Sequence, residues 1–254
     1  MKIAIIGIGK MGSWFAEVLS KEQVIAAYDI NKEKTVKNCK VLSKLEELED
    51  FKPELVINAV SLQHTIKAFE SISKYISKDC IIGDITSVKN ELSEYYKKSG
   101  FEFVSLHPMF GPTLATMDSL KEENAIIISE SNEKGKEFFR KLFSRLGLRV
   151  FEYSFKEHDD MMAYSLTTPF TASLVFAACV DKKAVPGTNF ARHMKLAKGV
   201  LSEDDHLLTE ILFNPRSIIQ LDRVTARLEL LKHIIKGKDY EEAKRFFDKL
   251  RKNV

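Results

Sequence analysis

Apolar positions in the first part of the chain gather in short runs, at 2–6, 24–28, 55–60, 80–84, 101–105, 125–129 and 149–153, most of them continuous and two interrupted by Glu102 and Glu152. Between them, segments at 13–19, 44–49, 63–73, 89–98 and 133–146 carry apolar residues at helical spacing. Continuous rather than alternating apolar runs predict strands covered on both faces, and their alternation with helices predicts a doubly wound, mostly parallel sheet. After Phe155 the strand-like runs cease. Helices are expected at 156–165, 169–181, 190–201, 204–213, 217–235 and 240–250. The expected organisation is an α/β domain over 1–155 followed by an all-helical domain over 156–254. That helical part has several apolar faces and few loops, so it buries them best against a second copy of itself, and a homodimer is expected.

The first strand runs into Gly7-Ile8-Gly9-Lys10-Met11-Gly12 and then a helix. In this GxGxxG spacing Gly7 serves the tight turn, Gly9 the close approach of a pyrophosphate, and Gly12 the packing of helix on strand. Free backbone N–H groups at the helix start, around Lys10 and Met11, then face phosphate. The second strand ends in Asp29, seventeen residues after Gly12, where a carboxylate takes the adenosine ribose hydroxyls. A 2′-phosphate would set like charges together there with no Arg beside Asp29, so NAD is expected over NADP, although Lys32 and Lys34 lie close. The sheet is therefore expected to be Rossmann-like.

Composition narrows the classes. Lys and Arg number 39 against 36 Asp and Glu, a net charge of +3 too small and too mixed to indicate a nucleic-acid partner. Hydrophobic residues make up 44% of the chain, enough for a core. Cys39, Cys80 and Cys179 are odd in number and widely spaced, which indicates neither a disulfide framework nor a metal site and fits a reducing cytoplasm. The apolar run at 173–180 is too short to span a bilayer, so no membrane segment is expected.

Ligands of open α/β sheets bind beyond the carboxyl ends of the strands. Three strand ends carry candidate chemistry: Val60-Ser61-Leu62-Gln63-His64, Asp84-Ile85-Thr86-Ser87-Val88-Lys89, and Leu106-His107-Pro108-Met109-Phe110-Gly111-Pro112. His107 stands past a strand, in a loop stiffened by Pro108, Gly111 and Pro112, where an imidazole of ordinary pKa near 6.5 suits proton transfer. Ser87 can cap a helix beginning at Val88, or face the same cleft.

The HPMFGP string, with DxxSVK at the previous strand end and GxGxMG at the first, resembles the prephenate dehydrogenase family of tyrosine biosynthesis. The resemblance takes in Glu157-His158-Asp159 and Asn214-Pro215 as well. It implies NAD-dependent oxidative decarboxylation of prephenate to 4-hydroxyphenylpyruvate, with His107 taking the hydroxyl proton and Ser87 beside it. Val60 and Ser61 would border the cofactor. Many relatives place a substrate-binding Arg in a Thr-Arg-Ile-Ala string; here Met194-Lys195-Leu196-Ala197 stands in its place. Lys195, with Arg192 and Lys198 spaced three residues to either side, is the expected carboxylate grip. A further Ser-His-Leu-Pro-His string of the relatives becomes Leu166-Thr167-Thr168-Pro169-Phe170, which leaves the amino analogue arogenate open as substrate. His158 is expected to order the junction of the two domains. A different dehydrogenase of the same two-domain plan and a non-catalytic NAD-binding sensor are the alternatives. Neither a fused chorismate mutase nor an appended regulatory domain is expected.

Overall fold

A computed structural model describes residues 1–89, 91–111, 119–181, 183, 185–203 and 205–253. It divides into two compact units, Met1–Asp160 and Met161–Val254, set against the boundary expected at Phe155.

The first unit is built on eight strands: β1 Lys2–Ile6, β2 Val24–Tyr28, β3 Lys40–Val41, β4 Leu55–Asn58, β5 Ile81–Asp84, β6 Phe103–Pro108, β7 Asn124–Ile128 and β8 Arg149–Tyr153. They form one sheet in the order β3-β2-β1-β4-β5-β6-β7-β8. All neighbours run parallel except β6 and β7, which are antiparallel, so the sheet is mostly parallel as expected. The strand order reverses between β1 and β4, and a crevice at such a switch point is where this architecture takes ligands. The two-residue edge strand β3 was not foreseen: neither Lys40 nor Val41 is buried, so it carries no apolar signature.

The helices of this unit are α1 Lys10–Leu19, α2 Glu47–Phe51, α3 Thr65–Ile72, α4 Leu92–Ser99 and α5 Glu133–Arg145. Central strands are buried along nearly their whole length, as in Ile3, Ala4, Ile5, Val56 and Ile57, because helices cover both faces. On one face Phe15 of α1 meets Phe139 and Phe143 of α5 edge-on, with centroids 6.3 and 6.5 Å apart, and all three rings are fully buried. This packing holds α1, and with it the glycine turn, against the sheet.

Where two helices were expected at 156–165 and 169–181, the chain forms one continuous run: α6 Phe155–Met162, a π turn Ala163–Thr167, and α7 Thr168–Ala178. Pro169 has no N–H to give to the preceding turn, and the wider π turn absorbs the missing bond without breaking the helix. By length and composition this 24-residue run is apolar enough to cross a membrane, which the shorter expected segments were not. Its polar positions are nonetheless tied into protein: His158 is fully buried, and the Thr167 hydroxyl lies 2.6 Å from that of Ser217. The second unit continues with α8 Thr188–Val200, α9 Asp205–Phe213, α10 Ser217–Gly237 and α11 Tyr240–Arg251. The start expected for α9 at Asp204 lies outside the described residues.

Candidate active site

The glycine turn is decided by sterics. Gly7 has φ +99°, and a Cβ there would sit 2.8 Å from backbone atoms of Ala59 and Val60 at the end of β4. A Cβ on Gly12 would fall 1.9 Å from the Gly7 carbonyl oxygen. Neither position tolerates a side chain. Gly9 is different: a Cβ added to it meets nothing within 4 Å, so its backbone borders open space. Gly9 also caps α1 without a side-chain bond, and α1 has no acidic residue in its first turn. Backbone N–H groups at Lys10 and Met11 therefore begin a helix with no carboxylate of its own in the first turn, and the cradle fits a pyrophosphate. Lys10 is exposed, while the Met11 side chain leans on the core.

At the end of β2 the Asp29 carboxylate is nine-tenths buried. It accepts from the Ile8 N–H at 2.7 Å, the Asn31 N–H at 2.9 Å and the Lys34 ammonium at 3.1 Å. Burial alone would raise its pKa, but those donors outweigh burial and hold it below the usual carboxylate range. Across the crevice, Val60 donates its N–H to Asn58 Oδ1 at 3.3 Å, and the Ser61 hydroxyl lies 2.9 Å from His64 Nδ1. Gly7, Gly9, Gly12, Asp29 and Val60 are thus gathered around the ends of β1, β2 and β4.

His107 is the last residue but one of β6, opposite Ile126 of β7, because the strand runs on past Ser105, where it was expected to end. The antiparallel partner extends the strand's pairing as far as Pro108; Pro112 lies outside the described residues. The His107 ring is 6% exposed, and its Nδ1 is 3.0 Å from Nε2 of His158. His158 Nδ1 is in turn 3.1 Å from Asp159 Oδ1. A capping box explains why His158 is placed here. Ser154 and Glu157 exchange bonds at 2.8 and 3.2 Å, starting α6 at Phe155, three residues before His158, while Phe155 packs on Tyr96 and Phe103.

This chain of contacts assigns the tautomers. Asp159 is an acceptor, so His158 carries its proton on Nδ1 and offers a lone pair at Nε2. His107 then donates from Nδ1, which leaves His107 Nε2 with an unshared pair. Burial, reinforced by the adjoining His158 and the Lys89 charge, lowers the His107 pKa well below 6.5. Burial likewise lowers that of His158, against the opposing pull of Asp159. The arrangement holds a neutral base at the end of β6.

Beneath this pair is a buried cluster that sequence reasoning did not assemble. The Lys89 ammonium, fully buried, donates to Asp84 Oδ2 at 2.5 Å and to the Leu106 carbonyl at 2.7 Å. Asp84 also accepts from the Thr86 hydroxyl and the Tyr96 hydroxyl, each at 2.7 Å. Burial would raise the Asp84 carboxyl, but Lys89 and these donors keep it ionised below the usual range. Burial lowers Lys89, with Asp84 opposing it. The signal was an Asp and a Lys five residues apart at one strand end, which only the turn between them brings into contact. Ser87 sits half-buried in that turn. Helix α4 begins at Leu92 with Glu91 at its cap, so Ser87 does not cap a helix at Val88.

In the helical unit, Arg192, Lys195 and Lys198 are all exposed on α8, and none joins an ion pair among the described residues. His193 bonds to the Asn189 carbonyl at 2.9 Å. Thr167 is buried and engaged with Ser217, which itself donates to the Ile211 carbonyl at 2.8 Å, so its hydroxyl serves packing. Asn214 turns the chain into α10, accepting the Arg216 N–H at 2.9 Å on its side chain.

Comparison with known proteins follows this geometry. A probable arogenate/prephenate dehydrogenase of Methanocaldococcus jannaschii is 24% identical over 95% of this chain and 58% of its own length. The chloroplastic arogenate dehydrogenase 1 of Arabidopsis thaliana is 24% identical over 94% of this chain and 40% of its own. The chain thus spans about half the length of these relatives. Among solved structures, prephenate dehydrogenase from A. aeolicus, in complex with hydroxyphenyl propionate and NAD+, superposes with a TM-score of 0.84 at 20% identity, covering 100% of this chain and 96% of that one. The family described as prephenate dehydrogenase, nucleotide-binding domain, matches residues 15–149. That match takes in more than half of the chain, and with it the second half of α1, the Asp84–Lys89 cluster and His107: the chain belongs to the prephenate dehydrogenase family.

Proposed function

We propose that this chain is an NAD-dependent dehydrogenase that oxidatively decarboxylates prephenate to 4-hydroxyphenylpyruvate. The observation that carries the reading is the Asp159–His158–His107 chain, which leaves an unprotonated Nε2 at a strand end of a nucleotide-binding sheet. NAD, when bound, accepts the hydride from the ring carbon bearing the hydroxyl. His107 Nε2 takes the hydroxyl proton as that carbon is oxidised. Loss of the ring carboxylate as CO₂ gives an aromatic phenolate, to whose oxygen His107 returns the same proton, so no net proton leaves the site. Asp159 holds His158 in the tautomer that receives the His107 N–H, which fixes the His107 ring with its Nε2 lone pair unshared. Ser87, in the turn next to Thr86, is the proposed contact to the substrate hydroxyl.

The cofactor is held by Gly7, Gly9, Lys10, Met11, Gly12, Asp29, Val60 and Ser61, with the glycines giving room and the helix start giving charge complementarity. Lys195 on α8, supported by Arg192 and Lys198, is the proposed grip on a substrate carboxylate. The helical unit also leaves Phe213, Ile218, Leu228 and Ile235 more than half exposed, which supports a homodimer closed over these faces. The relatives named above act on prephenate, arogenate or both by their descriptions, so the two substrates are to be compared directly.

The test is the appearance of NADH absorbance with prephenate and with arogenate in turn. Turnover of prephenate that is lost in His107→Asn bears out the reading. Turnover within a few-fold of the unaltered protein in that variant overturns the role of His107. Tight NAD binding with no turnover of either substrate favours the sensor. For the carboxylate grip, Lys195→Ala should raise KM with kcat little changed, while an uninvolved surface lysine leaves both as they are.

A further inference from the structure

We infer that the adenosine subsite accepts a 2′-phosphorylated dinucleotide as well as the unphosphorylated one, through Lys34 and Lys32. The inference rests on the nucleotide reading given above. In the sequence, Asp29 argues against a 2′-phosphate because its charge is unopposed. In the fold it is opposed. The Lys34 ammonium lies 3.1 Å from Asp29 Oδ2, and the Ile8 and Asn31 N–H groups donate to the same carboxylate. Lys32 folds back over the Tyr28 ring, 4.0 Å from its centroid, and donates to the Asp29 carbonyl at 3.2 Å. One cation thus pairs with the carboxylate and a second bonds the backbone carbonyl of the same residue, so the charge at Asp29 is opposed by two lysines.

The geometry leaves capacity for both ligands. A carboxylate has roughly four acceptor positions, and Asp29 uses three, so one remains for a ribose hydroxyl. Each ammonium has three donors and spends one on Asp29, so both can still donate to phosphate oxygens. Lys34 is 41% exposed and free to turn toward a ligand. A groove of about 590 Å³ opens beside Tyr28 and Lys32, and Lys44, Lys67 and Lys74 line it against Glu46 and Glu70. Glu46 is already committed to the Tyr75 hydroxyl at 2.7 Å. Lysines outnumber glutamates along that groove, which Lys32 borders.

The experiment is equilibrium titration of the protein with NADH and with NADPH, read by nucleotide fluorescence, at low and at moderate salt. Dissociation constants within about tenfold of each other, with NADPH the more salt-sensitive, bear out the inference. Lys34→Ala should then raise the NADPH-to-NADH ratio of dissociation constants by about tenfold or more, and Lys34→Arg should restore it. NADH binding with NADPH weaker by more than about a hundredfold in the unaltered protein overturns this inference alone. An unchanged ratio in Lys34→Ala also overturns it. Failure of both nucleotides to bind overturns the nucleotide reading, and this inference with it.

Discussion

The glycine turn and the imidazole pair stand at strand ends of one sheet, β1 and β6, with β4 and β5 between them, yet they are made in opposite ways. The turn is a local object: Gly7 and Gly12 are five residues apart, and the atoms that exclude a side chain at Gly12 belong to Gly7 itself and to Ala59. The pair joins residues 51 apart in sequence, His107 and His158, and it rests on a buried ion pair that shares the Leu106 carbonyl. A local object fails through backbone geometry. An assembled one fails through charge and protonation.

The contrast is broken most severely at His107. His107→Asn keeps a polar side chain in β6 but removes the base, and kcat should fall by about 10²- to 10⁴-fold with nucleotide binding retained, as stopped-flow or steady-state rates would show. Retained nucleotide affinity is the part that separates the two regions.

Next comes Lys89. Lys89→Met leaves the fully buried Asp84 without its cation, and denaturant unfolding should show a loss of about 3–5 kcal/mol. A loss under about 1 kcal/mol would mean that the Tyr96 and Thr86 hydroxyls alone suffice for Asp84.

Gly12→Ala attacks the turn. The added Cβ must displace the Gly7 carbonyl, which should cost about 1–3 kcal/mol of stability and abolish measurable nucleotide binding. In the variant, the His107–His158 contact should persist, as the imidazole resonances of the free protein would report.

The smallest effect is that of pH. Burial, with His158 and Lys89, lowers His107, so the unfolded chain binds its proton first as pH falls. Stability should therefore be intact above about 6.5 and decline from there toward the folded-state pKa. The acid limb of kcat/KM should lie below 6.5 for the same reason. An acid limb at or above 6.5 would contradict the buried, neutral imidazole. His158→Asn, which removes both the neighbouring ring and the acceptor of the His107 N–H, should move that limb.

The membrane-length run 155–178 shows how tertiary context changes a reading of composition. Its apolar residues were expected to form two helices, 156–165 and 169–181; the π turn joins them, and Thr167 and His158 pin the joined helix to protein partners. Ser87 makes the same point in reverse. Its position before a helical-looking stretch suggested a cap, but the chain spends residues 84–89 on closing Lys89 over Asp84, and the helix starts later.

The sequence by itself determined what short-range sterics and periodicity can encode. Mostly continuous apolar runs specified a sheet covered on both faces, and the glycine spacing specified the cradle, because each glycine answers a demand set within a few residues or by the adjacent strand. Asp29 and His107 could be found as strand-end residues. Only the tertiary structure decided their electrostatic state: that Asp29 is shared with Lys34, that Lys89 is sealed against Asp84, and that His107 faces another imidazole rather than solvent. Charge and protonation depend on what burial brings near a group, and burial is a property of the packed fold, not of spacing along the chain.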